Sequence, residues 1–390
     1  MYPTVSDLIS DLLGFNLPLP VQTFGFTLAV SFLLAAYTLQ LELKRKERSG
    51  LLSVVQVSRT VGRPASFSEL FWSFVTGFII GYKGVYALSN YSLFVEDTQS
   101  FILSLRGNAI GGLLLGTLMA YWNYREKEKQ RLPSPKVVVE DVHPYQLVSS
   151  LTMVAAISGI LGAKLFHNLE NLDDLAADPV DALLSFSGLT MYGGLIAGTL
   201  AVGYYGLRHG IHPLVLADAT APGLMLAYGT GRLGCQLSGD GDWGIVNLQP
   251  VPSALSWLPD WCWSYNYPHN VINEGVLIPG CDGRHCMMLP EPVFPTPLYE
   301  AAACISLFVI LWWIRKRMGN VGLMFSLYLL LNGIERLAIE QIRVNNRFQL
   351  LGLEVTQAEV IATLLIMAGS TGLWYFNFRP LKIQGKLSHA

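Results

Sequence analysis

Nine stretches of the chain are nearly continuous runs of apolar residues, separated by polar and charged segments. They fall at about 22–43, 69–90, 101–123, 146–167, 189–207, 214–236, 298–314, 321–343 and 357–377. A helix needs about 20 apolar residues, with a lower limit of roughly 17, to cross the hydrocarbon core of a bilayer, so each run predicts one membrane-spanning helix. Ahead of them, Leu8, Ile9, Leu12 and Leu13 share one face of a short helix, with Ser6 as its N-cap and Gly14 as its stop. Asp7 and Asp11 interrupt the apolar run of Met1 to Pro20, and such a short one-faced helix is expected to lie on the membrane surface and not to cross it. It has no basic start and does not read as a removable signal peptide. The fold class expected is an all-α polytopic membrane protein.

Composition agrees. Of the 390 residues 52% are hydrophobic and only 14% charged, against about 25% charged in soluble domains. The 11% aromatic content excludes a disordered chain. A net charge of −2 excludes nucleic-acid binding through bulk electrostatics.

The basic residues then set orientation, because short cytoplasmic loops retain positive charge. Lys44, Arg45, Lys46, Arg48, Arg59 and Arg63 follow the first span, and Arg125, Lys127, Lys129, Arg131 and Lys136 follow the third. Arg208 follows the fifth, Arg315, Lys316 and Arg317 follow the seventh, and Arg379, Lys382 and Lys386 lie in the tail. Opposite loops hold only Arg284 and Arg347, and the loop Glu170 to Asp181 is acidic. Nine spans with the N-terminus outside and the C-terminus inside satisfy every loop.

An internal repeat is also present. Gly81-Tyr-Lys83 matches Gly162-Ala-Lys164, and Gly111-Gly-Leu-Leu-Leu-Gly-Thr-Leu118 matches Gly193-Gly-Leu-Ile-Ala-Gly-Thr-Leu200. The second and third spans therefore look like a duplicate of the fourth and fifth. The organisation expected is an interfacial helix (1–21), a first span with a basic loop (22–68) and a duplicated helix pair (69–145). Core spans (146–236), an exterior head (237–297) and C-terminal spans with a basic tail (298–390) follow. The head is rich in Trp, Tyr, Pro and Gly and reads as irregular. It holds Cys262, Cys281 and Cys286, and an oxidising exterior predicts a disulfide, with Cys281–Cys286 favoured by the short turn between them. Zinc binding by Cys281, His285, Cys286 and His269 is the weaker alternative, because no paired metal spacing is present.

Six cationic residues lie in or beside the spans: Lys83, Arg106, Lys164, Arg232, Arg336 and Arg343. A charge in hydrocarbon costs several kcal/mol, so each needs a partner, a wet cavity or a reach to the headgroups. Snorkelling accounts for Arg106, Lys83 and Lys164. Arg232 and Arg336 are different: both lie toward the outer half of their spans, with no carboxylate near enough in sequence to neutralise them fully. Glu340 lies one turn from Arg336 and faces competition from Arg343. Two guanidiniums at one depth suit a phosphate or carboxylate, which the planar fork binds in bidentate fashion. Two further constellations flank them. One is the polar turn Cys235-Gln-Leu-Ser-Gly-Asp-Gly-Asp-Trp-Gly244; the other is Ser187-Gly-Leu-Thr-Met-Tyr-Gly-Gly-Leu-Ile196, with Tyr192 at a span entrance.

These motifs, in this order, resemble the prolipoprotein diacylglyceryl transferase family. The resemblance rests on Tyr192-Gly-Gly-Leu-Ile, Gly231-Arg-Leu-Gly, Gly239-Asp and Trp243-Gly244. Pro297-Leu-Tyr-Glu300 and Gly333-Ile-Glu-Arg-Leu-Ala-Ile-Glu-Gln-Ile-Arg343 extend it. It covers about 146–377 plus the first span and leaves the pair at 69–123 as an addition. It implies transfer of the diacylglyceryl group from phosphatidylglycerol to the lipobox cysteine of a preprolipoprotein, at a bacterial cytoplasmic (inner) membrane, with no cofactor and no metal. Arg232 and Arg336 would hold the lipid phosphate, and Glu340 and Arg343 would organise that pocket. Gly193, Gly194, Gly244 and Glu300 would line the substrate site. Asp240 would take the family's acidic position, although one extra residue before Trp243 lets Asp242 replace it. Tyr192 stands where the family has histidine, Cys235 where it has asparagine, and Phe24 where it has tyrosine. A tyrosine with a pKa of about 10 is a poor base, so Tyr192 is expected to orient lipid or thiol. The competing readings are an anion or lipid transporter built on the repeat, and a lipid-binding protein that kept the fold without the activity.

Overall fold

The computed structural model describes residues 1–15, 17–19, 21–96, 98–177, 190–350 and 352–379. Ser187 to Leu189, the end of the acidic loop at 178–181, and Lys382 and Lys386 lie outside them.

Helix α1 (Val5–Leu13) is capped by Thr4 and not by Ser6. Asp7 N donates to Thr4 Oγ1 at 3.2 Å and Thr4 N donates to the Asp7 carboxylate at 2.9 Å, which satisfies two orphan amides reciprocally. The Ser6 hydroxyl instead reaches Leu17 O at 2.6 Å. Gly14 ends the helix at φ +73°, as a left-handed C-cap requires.

Long helices fall in the predicted runs, although the third run is broken and its long helix starts at Ala109 and not near 101: α2 (Thr23–Arg48), α3 (Phe67–Ser89), α6 (Ala109–Lys129), α7 (Val148–Glu170), α9 (Met191–Arg208), α10 (Pro213–Ser238), α11 (Thr296–Ile314), α12 (Leu323–Glu340) and α13 (Gln357–Phe378). Short helices α4 (Tyr91–Glu96), α5 (Thr98–Leu103) and α8 (Leu172–Ala177) lie between them. Among the described residues, four helical stretches are long and apolar enough to cross a membrane: α2, Pro144–Glu170, α11 and α13. Leu33, Leu161 and Met367 point apolar surface outward from such helices, a surface that water would not favour. The chain is a mostly helical, polytopic membrane architecture.

Among the described residues there are also three two-stranded antiparallel ribbons, which the apolar runs do not announce. They pair β1 (Val55–Val61) with β2 (Lys136–Val142), β3 (Val276–Leu277) with β4 (Met287–Met288), and β5 (Arg347–Leu350) with β6 (Leu353–Thr356).

Two compact units emerge. The smaller, Val54–Val142, holds α3 and α6 together with β1 and β2. A methyl group on Gly81 would collide with Gly111 O, so these two helices meet backbone to backbone. In this unit Lys83 does not snorkel; Nζ donates to Phe101 O at 3.0 Å and Arg106 O at 2.9 Å, satisfying carbonyls at and beyond the end of α5.

The larger unit contains the other long helices and the head. Its pair α7 and α9 makes contacts that correspond to those of α3 and α6. Gly162 faces Gly193 O as Gly81 faces Gly111 O, and Thr190 N donates to Ala163 O (3.2 Å) as Asn108 N donates to Tyr82 O (2.9 Å). At one end of this unit Arg315 Nε pairs with the buried Glu42 at 2.7 Å. There Asp218 also accepts Gly322 N (2.7 Å) and Phe325 N (2.9 Å), capping α12. At the other end the head is anchored by Tyr267, fully buried against Trp243, Leu289 and Val293, with its hydroxyl on Gln236 Oε1 at 2.7 Å. Cys281 and Cys286 are joined as a disulfide, so neither thiolate is available for zinc. Cys262 remains free.

Candidate active site

Three arginines meet at one carboxylate. Glu300 stands one turn inside α11, its side chain fully shielded from solvent. Its Oε2 lies 2.5 Å from Arg232 Nε of α10 and accepts the Tyr228 hydroxyl at 2.8 Å. Its Oε1 lies 2.9 Å from Arg343 Nη1 and 3.6 Å from Arg336 Nη1 of α12. Asp242 is the second bridge, pairing with both Arg232 and Arg343. Glu340 is the third carboxylate, with Arg336 Nη2 at 2.8 Å. Three guanidiniums therefore face three carboxylates, and none of the three arginines is uncompensated. The sequence view of Arg232 and Arg336 as lacking neutralising partners is corrected here: Glu300 is remote from both in sequence, and helix packing alone places it between them. Arg343 likewise does not compete for the Glu340 side chain, because it turns to Glu300 and Asp242.

Local structure explains how each group is held. Gly239 leaves α10 with φ +66°, and Gly241 follows with φ +96°, turning the chain back toward the helix end. Gly244 then pairs with Arg343 as an antiparallel bridge, with Gly244 N donating to Phe294 O and Ile245 N donating to Ile342 O, both at 2.9 Å. A methyl group on Gly244 would stand 2.5 Å from Ile342 O, so only glycine allows this approach. The Thr296 hydroxyl donates to Asp242 O at 2.7 Å. Together these bonds put Asp242, and not Asp240, between the arginines. Asp240 sits alongside, its Oδ1 accepting Asp242 N at 3.4 Å. Burial holds its carboxyl above the usual aspartate range, an effect that a hydrogen bond from Cys235 opposes.

Cys235 is buried, with Sγ 3.8 Å from Arg232 Nη1, and its sulfur lies within 4.8 Å of the Asp240 and Asp242 carboxylates. Phe24 packs beside Gly234, next to Cys235. Glu340 Oε1 accepts from Asn345 Nδ2 and Thr356 Oγ1, both at 2.6 Å. The hairpin β5–β6 returns the chain to supply that threonine, which also caps α13. Tyr192 opens α9 and, among the described residues, joins none of these ion pairs. Gly193 and Gly194 beside it pack against the backbones of Gly162 and Gly159.

Sequence reasoning passed over Tyr228, Thr296, Asn345 and Thr356. Tyr228 lies one helical turn before Arg232, with its ring 5.3 Å from that guanidinium, a spacing visible in the sequence. Thr356 carries no such signal, since a loop and a hairpin separate it from Glu340.

Residues 135–375 match the family model described as prolipoprotein diacylglyceryl transferase. A phosphatidylglycerol–prolipoprotein diacylglyceryl transferase of Dehalococcoides mccartyi is 29% identical over 246 residues, 63% of this chain and 82% of that protein. One from Corynebacterium diphtheriae is 30% identical over 232 residues, 58% of this chain and 76% of that protein.

Proposed function

The chain belongs to the prolipoprotein diacylglyceryl transferase family, and from that premise we propose how it works. It transfers the diacylglyceryl group of phosphatidylglycerol to the lipobox cysteine thiol of a preprolipoprotein, forming a thioether and releasing glycerol phosphate. The observation that carries this reading is the meeting of Arg232, Arg336 and Arg343 on Glu300. Cleaving the phosphodiester at its carbon–oxygen bond needs cations where negative charge grows on the departing glycerol phosphate.

Asp242 is the carboxylate the lipid replaces. Its side chain is 31% exposed whereas Glu300 is at 0%, so Asp242 can swing out while Glu300 stays as the hub. The phosphate then sits between Arg232 and Arg343, with Arg336 at its side. Asp240 takes the proton of the incoming thiol, a task its raised pKa favours over that of an ordinary aspartate. The sulfur bonds to the glycerol carbon as that carbon's bond to the phosphate oxygen breaks. Cys235, Tyr192, Phe24, Gly193 and Gly194 shape the space for lipid and peptide.

We read all nine long helices as spans of a bacterial cytoplasmic (inner) membrane, N-terminus outside and C-terminus inside. The pairing of β1 with β2 supports this, since it joins the two basic loops that the charge pattern assigns to one side. The direct test uses purified protein, phosphatidylglycerol vesicles and a lipobox peptide, with product mass as readout. Diacylglyceryl addition supports the reading. No addition where a family standard works favours a lipid-binding protein instead.

A further inference from the structure

Helix α12 carries a carboxylate where its packing seam calls for an apolar group. Met324, Tyr328 and Leu331 recur at helical spacing and pack with Met225, Cys304 and Leu311. The next position of that seam is Glu335, only 6% exposed. Neither of its oxygens has a hydrogen-bond partner among the described residues beyond the adjacent Cys304 thiol, a weak donor. Arg336 Nη1 and Glu340 Oε2 also lack hydrogen bonds, although both stand in ion pairs. Four of the seven buried side-chain polar atoms without hydrogen bonds among the described residues thus belong to these three residues of one helix. Leaving a carboxylate buried and unmet is costly. A ligand that brings hydroxyl donors would complete this corner of the site.

We propose that Glu335 selects the glycerol headgroup, its two oxygens accepting the two hydroxyls of the terminal diol while Arg232 and Arg343, with Arg336 beside them, hold the phosphate. The proposal rests on the transferase reading above. A vicinal diol presents two donors on adjacent carbons, which match the two oxygens of one carboxylate. A single methylene separates that diol from the phosphate ester oxygen, so the groups binding the two must lie close together, and Glu335 lies within electrostatic reach of Arg336, Arg232 and Arg343. An ammonium headgroup would satisfy the carboxylate too, but it would bring a fourth cation beside three arginines.

The test compares phosphatidylglycerol with phosphatidylmethanol of the same acyl chains, which keeps the phosphodiester charge and lacks the diol. Both are measured with the full-length protein and a lipobox peptide, and separately as lipid binding without peptide. Wild-type protein is expected to favour phosphatidylglycerol on the order of tenfold in kcat/KM and in affinity. Glu335→Leu restores the apolar seam and should fold; it is expected to erase that preference by lowering only the phosphatidylglycerol values. Glu335→Gln, which keeps the shape and one acceptor, should fall between. A preference unchanged in the variants, or an equal loss on both lipids, overturns the proposal. Wild-type protein that binds with the expected preference yet forms no product overturns the transferase reading and leaves the headgroup assignment supported.

Discussion

Glu300 and Arg232 form an ion pair at 2.5 Å between α11 and α10, with the carboxylate wholly shielded from solvent. The same carboxylate also meets Arg343 and Arg336, so among the described residues it is the group that all three arginines share. Glu300→Gln keeps the shape and removes the charge, leaving three guanidiniums with two carboxylates. Breaking a buried pair from one side costs about 3–5 kcal/mol, so this variant should unfold at clearly lower temperature in detergent. A melting temperature equal to the wild type would show that Glu300 does not balance the cluster.

Arg232→Lys keeps the charge but replaces a planar fork with a point charge. Arg232 uses separate nitrogens for Glu300 and Asp242, an arrangement that an ammonium cannot reproduce. Transferase activity should fall about 10²–10³-fold, the scale of losing one preorganised donor to a developing oxyanion. Near wild-type rates for Arg232→Ala and Arg336→Ala in folded protein would remove the phosphate from this site.

Gly244→Ala should act at a distance from the chemistry. The added methyl meets Ile342 O at 2.5 Å and would push apart the bridge that sets Asp242 against Arg343. Activity is expected to fall at least tenfold, since small displacements of positioned groups cost about that much or more. Circular dichroism should retain the helix content. An alanine variant of full activity would show that this approach is not needed.

The raised pKa of Asp240 has a signed consequence for stability. Burial favours its neutral form in the folded chain, so its contribution is complete below the ordinary aspartate value of about 3.9 and is lost as pH rises through the higher folded value. Asp240→Asn removes that loss. The variant's thermal stability relative to wild type should therefore rise with pH from about 4 upward and then level off. A difference that is flat with pH would refute the assignment.

The exterior disulfide gives a count. Alkylation of unfolded, unreduced protein should label Cys235, Cys262 and Cys304 and leave Cys281 and Cys286 unlabelled. Because the loop between the linked cysteines is short, reduction should cost about 2 kcal/mol and leave the helices in place. Labelling of all five cysteines without reductant would contradict the pairing.

The long helical segments were readable because apolarity is a local property, carried by each run irrespective of its neighbours, and four of the helical stretches among the described residues are long and apolar enough to cross a membrane. The glycine repeat was readable for the same reason, and Gly81 and Gly162 do make corresponding backbone contacts. Arg232, Arg336 and Arg343 drew attention because a cation in an apolar run is conspicuous wherever it points. The cap of α1 moved from Ser6 to Thr4, since two hydroxyls stood within reach of one helix end and only the backbone path chose between them. The ribbons escaped notice because pairing such as β1 with β2 depends on distant partners. What the sequence determined alone, then, was which residues are costly to bury. What only the tertiary structure decided was how that cost is met: Glu300 as hub, Asp242 ahead of Asp240, and Thr356 beneath Glu340. Neutralising a buried charge requires contact within a few ångströms, and contacts between helices distant in sequence leave no mark on the local pattern of either one.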